Sequence, residues 1–364
     1  ISLADAMKTP IFYLLAFSTG VMWFCISGVI QHQSIYLGSD LSLPGARLAQ
    51  VFSLFFASSV VGKVLFGWLS DRYSKVNIML LATVNLTVGL VVFRMVDGDS
   101  FFSILLYAVV YGVGFSGAFT MIQLMIAELF AGPTYGKILG VFVFIDTLAG
   151  AIGIGALGRI RVATESYIPA INLMIGLCLA AFACVYIIKR QIEAPQPVAA
   201  GEGCKGMRVF YGWYVLGGLF VMYAVSNGIS NFTLPLFYPS LMDEFGWDQA
   251  EVTRPAGIKF LFASIYNLAI GFLLDRYNPR PIMATGALLM VFGLVSFLLM
   301  DNLWHFTLIY LLLAFGLSMC GLIPSMLTTS RWFTKYRGRA VGILLMASSF
   351  GGAVLPLIVT GPIA

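Results

Sequence analysis

Charge is scarce in this chain of 364 residues: 10% are Asp, Glu, Lys or Arg, against about 25% in ordinary soluble domains. A fold bathed in water on every side cannot be covered with so few charges. Histidine is rarer still, at 2 residues, and the 5 cysteines have no metal-ligand spacing. Cys25, Cys178, Cys184 and Cys320 lie in apolar stretches and Cys204 in a polar one, which excludes a zinc cluster and a disulfide-built secreted module. A Walker-type Gly-Lys-Ser/Thr loop is missing, and no apolar segment pairs a nucleophile with a base. ATP hydrolysis, enzymatic chemistry and a resident cofactor are therefore not expected. The 21 Lys+Arg exceed the 16 Asp+Glu, but without a basic run or stripe, so a nucleic-acid partner is excluded as well. What remains is abundant apolar surface, 60% of the chain with 30 Phe. That composition is a polytopic membrane protein's.

A bilayer core about 30 Å thick needs roughly 20 apolar residues per helix, and a backbone in lipid must satisfy its own hydrogen bonds. Eleven runs qualify: 10–32, 48–70, 77–96, 101–127, 136–158, 168–190, 209–231, 255–275, 281–300, 305–328 and 338–361. A β-barrel is excluded because stretches such as Leu105 to Val113 are apolar at every position instead of alternating. Residues 191–208 turn polar and Pro/Gly-bearing, which reads as a linker on the cytoplasmic side. The expected architecture is all-α, with a six-helix bundle over 1–190 and a five-helix bundle over 209–364. The chain opens at Ile1 with no signal peptide visible, and its natural start is expected upstream.

The two parts echo each other. Gly67-Trp-Leu-Ser-Asp71-Arg72-Tyr73 recurs as Gly271-Phe-Leu-Leu-Asp275-Arg276-Tyr277, 204 residues later. Glu128-Leu-Phe130 with Gly136-Lys137 and Gly140 is echoed by Trp332-Phe333 with Gly338-Arg339 and Gly342. Two matches almost in register indicate duplicated units. If Asp71-Arg72 and Asp275-Arg276 face the cytoplasm, that side collects Lys8, Arg72, Lys75, Lys137, Lys189, Arg190, Lys205, Arg208, Arg276, Arg280, Arg331, Lys335, Arg337 and Arg339. Arg47, Arg94, Arg159, Arg161 and Arg254 remain on the other, with acidic Asp243, Glu244, Asp248 and Glu251. Fourteen basic residues against five set the orientation by the positive-inside bias.

Gly-x-x-x-Asp-Arg at the end of a spanning helix, followed by a short basic loop, resembles the signature between the second and third helices of the major facilitator superfamily. Physically, the Gly permits close helix approach, the Asp can meet a facing helix N-terminus or an Arg, and the basic residues can anchor at anionic lipid. The resemblance implies that Gly67, Asp71, Arg72, Lys75, Gly271, Asp275, Arg276 and Arg280 form conformational latches. Phe210-Tyr-Gly-Trp213, Arg331-Trp332-Phe333 and Arg337-Gly338-Arg339-Ala340 narrow it. They look like the amino-terminal half of monocarboxylate- and oxalate-type facilitators, while Leu3 to Phe12 looks like that family's entry into its seventh helix. The carboxyl-type half thus precedes the amino-type half, and the family's sixth helix is missing. A permutation, a fusion of tandem copies with Met207 as a start, and a fragment are all consistent with this order.

Ionisable residues inside apolar helices are functional candidates, because a central charge costs roughly 2.5–3.5 kcal/mol on the insertion scale. Lys63 lies four residues before Gly67, where the resemblance implies a basic residue, usually Arg, that meets a substrate carboxylate. An internal salt bridge and snorkelling are the other readings. Asp146 is mid-helix, with a side chain too short to reach the interface, and suits proton relay or cation-coupled gating. Lys259 sits twelve residues before Gly271; it either pairs with Asp146 across two helices that adjoin in the family or snorkels outward. His32, Asn227, Asn231 and Asn267 are candidate substrate contacts, although Asn also links helices and His32 alone favours a helix-end hydrogen bond. The expected function is a monomeric secondary transporter in the plasma (inner) membrane, moving a small carboxylate with protons or a counter-anion. An exporter of hydrophobic or cationic compounds that uses Asp146 and a non-transporting fragment are the alternatives.

Overall fold

The computed structural model describes residues 2–97, 100–132, 134–192, 211–247, 249–334 and 336–360. Cys204, Lys205, Met207, Arg208, Phe210, Asp248, Lys335 and nearly all of the expected linker lie outside the described residues. The helices are α1 (Leu3–Ala6), α2 (Pro10–Ile35), α3 (Gly45–Arg72), α4 (Lys75–Arg94), α5 (Phe101–Phe130), α6 (Tyr135–Thr164), α7 (Ile168–Ile192), α8 (Gly212–Gly228), α9 (Tyr238–Phe245), α10 (Gln249–Arg276), α11 (Pro279–Val295), α12 (Leu303–Cys320), α13 (Leu322–Trp332) and α14 (Arg337–Thr360). Among the described residues there is no strand.

Among the described residues, ten stretches are long and apolar enough to span a bilayer. They coincide with ten of the eleven expected runs, and the eleventh, 338–361, falls on α14. The run expected at 305–328 is a single span, Leu303–Trp332, but it is broken at Gly321, whose non-helical backbone separates α12 from α13. Helix starts follow local chemistry. Pro occupies the first turn of α2 and α11, where its missing N–H costs nothing. Ser100 and Asn302 cap α5 and α12 through their side chains. The first long helix of each part ends in a widened π turn, Tyr36–Asp40 after α2 and Ile229–Thr233 after α8.

The packing repeats between the parts. Helix α2 lies against α6 and α7, and α8 lies against α14. Small residues allow this in lipid, where apolar surface alone gives little drive to associate. A Cβ on Gly153 of α6 would meet Phe24 Cα at 3.0 Å, and one on Gly351 of α14 would meet Ala224 Cα at 3.1 Å. Two seams join the parts, α3 with α14 and α6 with α10. The candidate site lies along them.

Candidate interbundle gate and substrate site

At one end of the molecule the two sequence echoes turn out to be partners, and they pair crosswise. The Asp71 carboxylate, ending α3, accepts hydrogen bonds from the Gly338 and Arg339 N–H groups that open α14, at 2.7 and 3.0 Å. The Asp275 carboxylate, ending α10, accepts from the Gly136 and Lys137 N–H groups that open α6, at 2.8 and 3.0 Å. Each carboxylate thereby sits on the positive end of a helix of the other part. Of the two partners the sequence left open, a facing helix N-terminus or an Arg, both aspartates take the N-terminus. Asp71 also has Arg339 Nε 3.7 Å away, and Asp275 lies in the field of Lys137 and Arg331.

Glycine makes the approach close enough. A Cβ on Gly271 would lie 2.7 Å from Gly136 O and 2.8 Å from Gly140 Cα, and one on Gly67 would lie 3.1 Å from Gly342 Cα. The basic members of the motif point elsewhere. Arg72 stacks on Trp68, 4.1 Å from the ring centre, and Arg276 lies over Tyr277. Lys75 pairs with Glu128 at 3.0 Å, so it is held within its own part, not left to lipid alone. The Arg280 backbone N–H donates to Asn278 in the first turn of α11. Opening this end of the molecule therefore means breaking four N–H to carboxylate bonds.

Farther along α3, Lys63 is fully buried. Its ammonium donates to Ser348 Oγ at 2.9 Å and Ser349 Oγ at 2.7 Å, both on α14 across the seam. The rings of Phe115 and Phe119 flank it, 5.4 and 5.2 Å from Nζ. These contacts are inconsistent with snorkelling and with an internal salt bridge to a described residue. Asp146 on α6 is 2% exposed, and among the described residues neither carboxylate oxygen has a hydrogen-bond partner within bonding geometry. The Thr19 hydroxyl adjoins it but donates to Ala16 O at 3.3 Å. A buried cation held by neutral dipoles, and a buried carboxyl with only the Thr19 hydroxyl beside it, are costly unless a mobile ion or proton completes them.

Lys259 does not pair with Asp146. Its ammonium is taken up in its own part by Ser230 O and by Asn231 Oδ1, at 2.7 Å for the latter, with Tyr310 and Phe260 alongside. The physical reason is the π turn after α8, where the wider coil presents Ser230 O and Asn231 toward α10. Burial at 4% also removes the snorkelling reading. His32 is likewise engaged within the first part: Nδ1 meets Tyr167 OH at 2.9 Å and Nε2 meets Ile154 O at 3.0 Å. Asn227 is half-buried on α8. Asn267 is also half-buried, and its carbonyl lies at the Gly140 approach on the second seam. The structure thus brings Lys63 to α14 and Asn267 to α6, and leaves His32 and Lys259 each inside its own part.

Comparison with known proteins now decides the family. Matches to the model of the Major Facilitator Superfamily cover residues 12–226 and 218–361. The chain belongs to that superfamily. Among solved structures, this facilitator superposes on a bacterial homologue of the iron transporter ferroportin in an outward-facing state, with a TM-score of 0.76 at 14% identity, covering 98% of this chain and 92% of that one. A proton:xylose symporter gives 0.69 at 14% identity, over 97% and 88%. Both likenesses concern the fold. Among curated relatives it is similar to the fujikurins efflux protein of Gibberella fujikuroi, 31% identical over 31% of this chain and 24% of that one. It is also similar to the riboflavin transporter RibJ of Trypanosoma cruzi, 38% identical over 25% of this chain and 20% of that one. The match thus spans about a quarter or less of the length of these relatives. The facilitator is a multi-pass integral membrane protein and not an enzyme.

Sequence reasoning missed the residues that receive the facilitator's Lys63. Ser348 and Ser349 stand in an apolar run and carry no motif. A signal did exist, because they follow Asp146 and Thr147 by the 202 residues that also separate Gly136 from Gly338. By the other offset, 204, Asn267 is the counterpart of Lys63. Further buried polar groups without partners include Trp23 Nε1, the Thr120 hydroxyl, the Gln123 amide and the Ser325 hydroxyl. Trp23 packs edge-on to Phe119, 5.4 Å between centroids, which extends the aromatic wall around Lys63.

Proposed function

We propose that this facilitator moves a small organic anion, of the monocarboxylate type, by alternating access, with proton coupling or anion exchange. One observation carries the reading: Lys63 is a buried cation on the seam between the two parts, and all its described partners are neutral. A carboxylate arriving there supplies the missing countercharge, and does so where α3 and α14 must separate. Asp146, without a bond of its own, is the proton site. It stands at the position equivalent to Ser348 on the other seam, so a proton taken up or released there changes the charge balance of the second seam as the anion does in the first. The crossed Asp71 and Asp275 caps are the cytoplasmic latch, holding that side shut until substrate binding offsets the loss of four hydrogen bonds. The two six- and five-helix units, 1–190 and 209–364, are the bodies that rock.

Uptake of labelled lactate, acetate and oxalate into proteoliposomes tests this. Lys63→Gln is expected to reduce uptake of every acid the parent chain carries roughly a hundredfold, while the protein remains folded and inserted. Intact carboxylate uptake by Lys63→Gln would overturn the reading. The unpartnered Asp146 favours one other reading, export of a hydrophobic or cationic compound with the carboxylate as counter-ion. Efflux proteins among the relatives support it, and saturable efflux of an organic cation that needs Asp146 but not Lys63 would establish it.

A further inference from the structure

Beyond the seam, at the end of the molecule opposite the Asp71 and Asp275 caps, lies a wide-open cavity of about 470 Å³ that the transport cycle above does not use. Its lining is His32 from α2 and Ile154, Gly155, Gly158, Arg159, Val162 and Ala163 from α6. That volume is in the range of small-molecule sites. Its chemistry is lopsided, with an apolar wall and a single free cation. The His32 ring shows the cavity its carbon edge, since both nitrogens are engaged by Tyr167 and Ile154, and the atom nearest a Cβ on Gly158 is His32 Cε1, at 3.5 Å. The floor is bare backbone, with nothing within 4 Å of a Cβ placed on Gly155. Arg159 is exposed, and no ion pair or hydrogen bond among the described residues engages its guanidinium, whereas neighbouring Arg161 is tied to Asp40 at 2.9 Å.

Helical phase places one glycine of the lining on the side of α6 that meets the other part. Gly158 follows Gly140 by 18 residues, five turns at about 3.6 residues each, so it lies on the face of α6 that packs on α10 nearer the caps. Gly155 and Val162 flank that line. The face is closed against α10 at Gly136 and Gly140 and bears the cavity at Gly155 and Gly158.

We infer that this cavity is a docking site for an amphipathic monocarboxylate, with its carboxylate on Arg159 and its apolar body against Ile154, Val162 and the two glycines, entered before the anion reaches Lys63. The inference rests on the reading of the transported species as an organic anion. A guanidinium offers a carboxylate paired N–H donors. The wall and floor offer no hydrogen bond, so they reward a hydrocarbon body and are indifferent to its absence.

The test compares octanoate with acetate on the full chain. Gly155→Leu fills the cavity where no atom opposes it, and Arg159→Gln removes the charge while keeping length. Both are expected to raise the KM for octanoate added on the Arg159 side about tenfold, a free-energy change of about 1.4 kcal/mol, with acetate KM and both maximal rates unchanged. Arg159→Lys is expected to recover part of the loss. Saturation-transfer NMR on the protein in phosphatidylcholine nanodiscs gives a readout independent of transport, with octanoate signal in the parent chain and loss of it in Gly155→Leu. Unchanged octanoate KM and unchanged NMR signal in both variants would overturn the inference. So would displacement of octanoate by phosphatidylglycerol at trace content, which identifies a lipid site. A parent chain that binds octanoate in the nanodisc but carries neither acid removes the transport reading and leaves the docking site standing.

Discussion

The two seams that join the halves of this facilitator are the same at their closed end and differ in charge a few turns away. At the closed end, Asp71 and Asp275 each cap a helix of the other half with two bonds of 2.7–3.0 Å. At equivalent positions above them, the α3–α14 seam holds Lys63 against Ser348 and Ser349, the α6–α10 seam holds the neutral Asn267, and Asp146 is buried in α6 beside Thr19 of α2. The difference teaches how a duplicated scaffold divides its labour. The closing contact has the same geometry twice. In the proposed cycle, the ligand and proton chemistry needs a cation and an acid kept apart, since side by side they would neutralise each other.

The comparison can be broken most severely by moving the charge. Lys63→Gln is expected to reduce carboxylate uptake roughly a hundredfold, the scale of losing one buried charged contact. Exchanging the pair, Lys63→Asn with Asn267→Lys, is expected not to restore it, because the new lysine meets Asp146 instead of two serines. Proteoliposome uptake measures both, and recovery in the exchanged protein would show that the seams are equivalent. Next in size is the steric match at the caps. Gly338→Val and Gly136→Val each force side-chain atoms into the facing helix and are expected to cost about 1–3 kcal/mol, equally in the two seams. Thermal unfolding in detergent checks this, with increased labelling of a cysteine placed at the caps as a second readout.

A smaller effect separates the acid from its counterpart. Asp146→Ser, which installs the residue found at the equivalent Ser348, is expected to lower proton-driven accumulation about tenfold, close to 1.4 kcal/mol, while leaving anion exchange intact. Accumulation ratios with and without an imposed pH gradient decide it, and an unaltered ratio would remove Asp146 from coupling. The smallest is in the caps' charge. Asp71→Asn and Asp275→Asn keep an acceptor and lose the attraction to the helix end, for about 1 kcal/mol or less. The Asp71 variant is expected to lose slightly more because Arg339 stands 3.7 Å from it, a ranking that the rate of cross-linking across each cap can reverse.

Much of this was open to reading in the chain alone. Ten of the eleven spans were placed by apolar length, because lipid requires each to be a helix. The repeats at 204 and 202 residues located both aspartates and the glycines that face them before any contact was known. Lys63, Asp146 and Lys259 stood out because a charge in an apolar run is improbable without cause. Their partners did not, since Lys259 was expected opposite Asp146 on helix adjacency. Adjacency of helices α6 and α10 was correct as far as packing goes, but rotation about a helix axis and the π turn after α8 decide which side chains meet. Neither leaves a trace in hydropathy. Ser348 and Ser349 were invisible for a related reason, being ordinary residues of an apolar helix until the facing lysine gives them a task.

Composition and periodicity therefore determined the membrane setting, the helices, the duplication and the short list of costly ionisable groups, all properties that depend on neighbours in sequence or on the solvent. The tertiary structure alone decided that the two echoes pair crosswise, that Lys63 reaches across a seam while Lys259 stays at home, and that Asp146 has no hydrogen-bond partner. Those are contacts between residues more than a hundred positions apart, or between helices whose relative rotation is set by glycine-sized gaps. No local pattern encodes them, because they follow from how whole helices fit together.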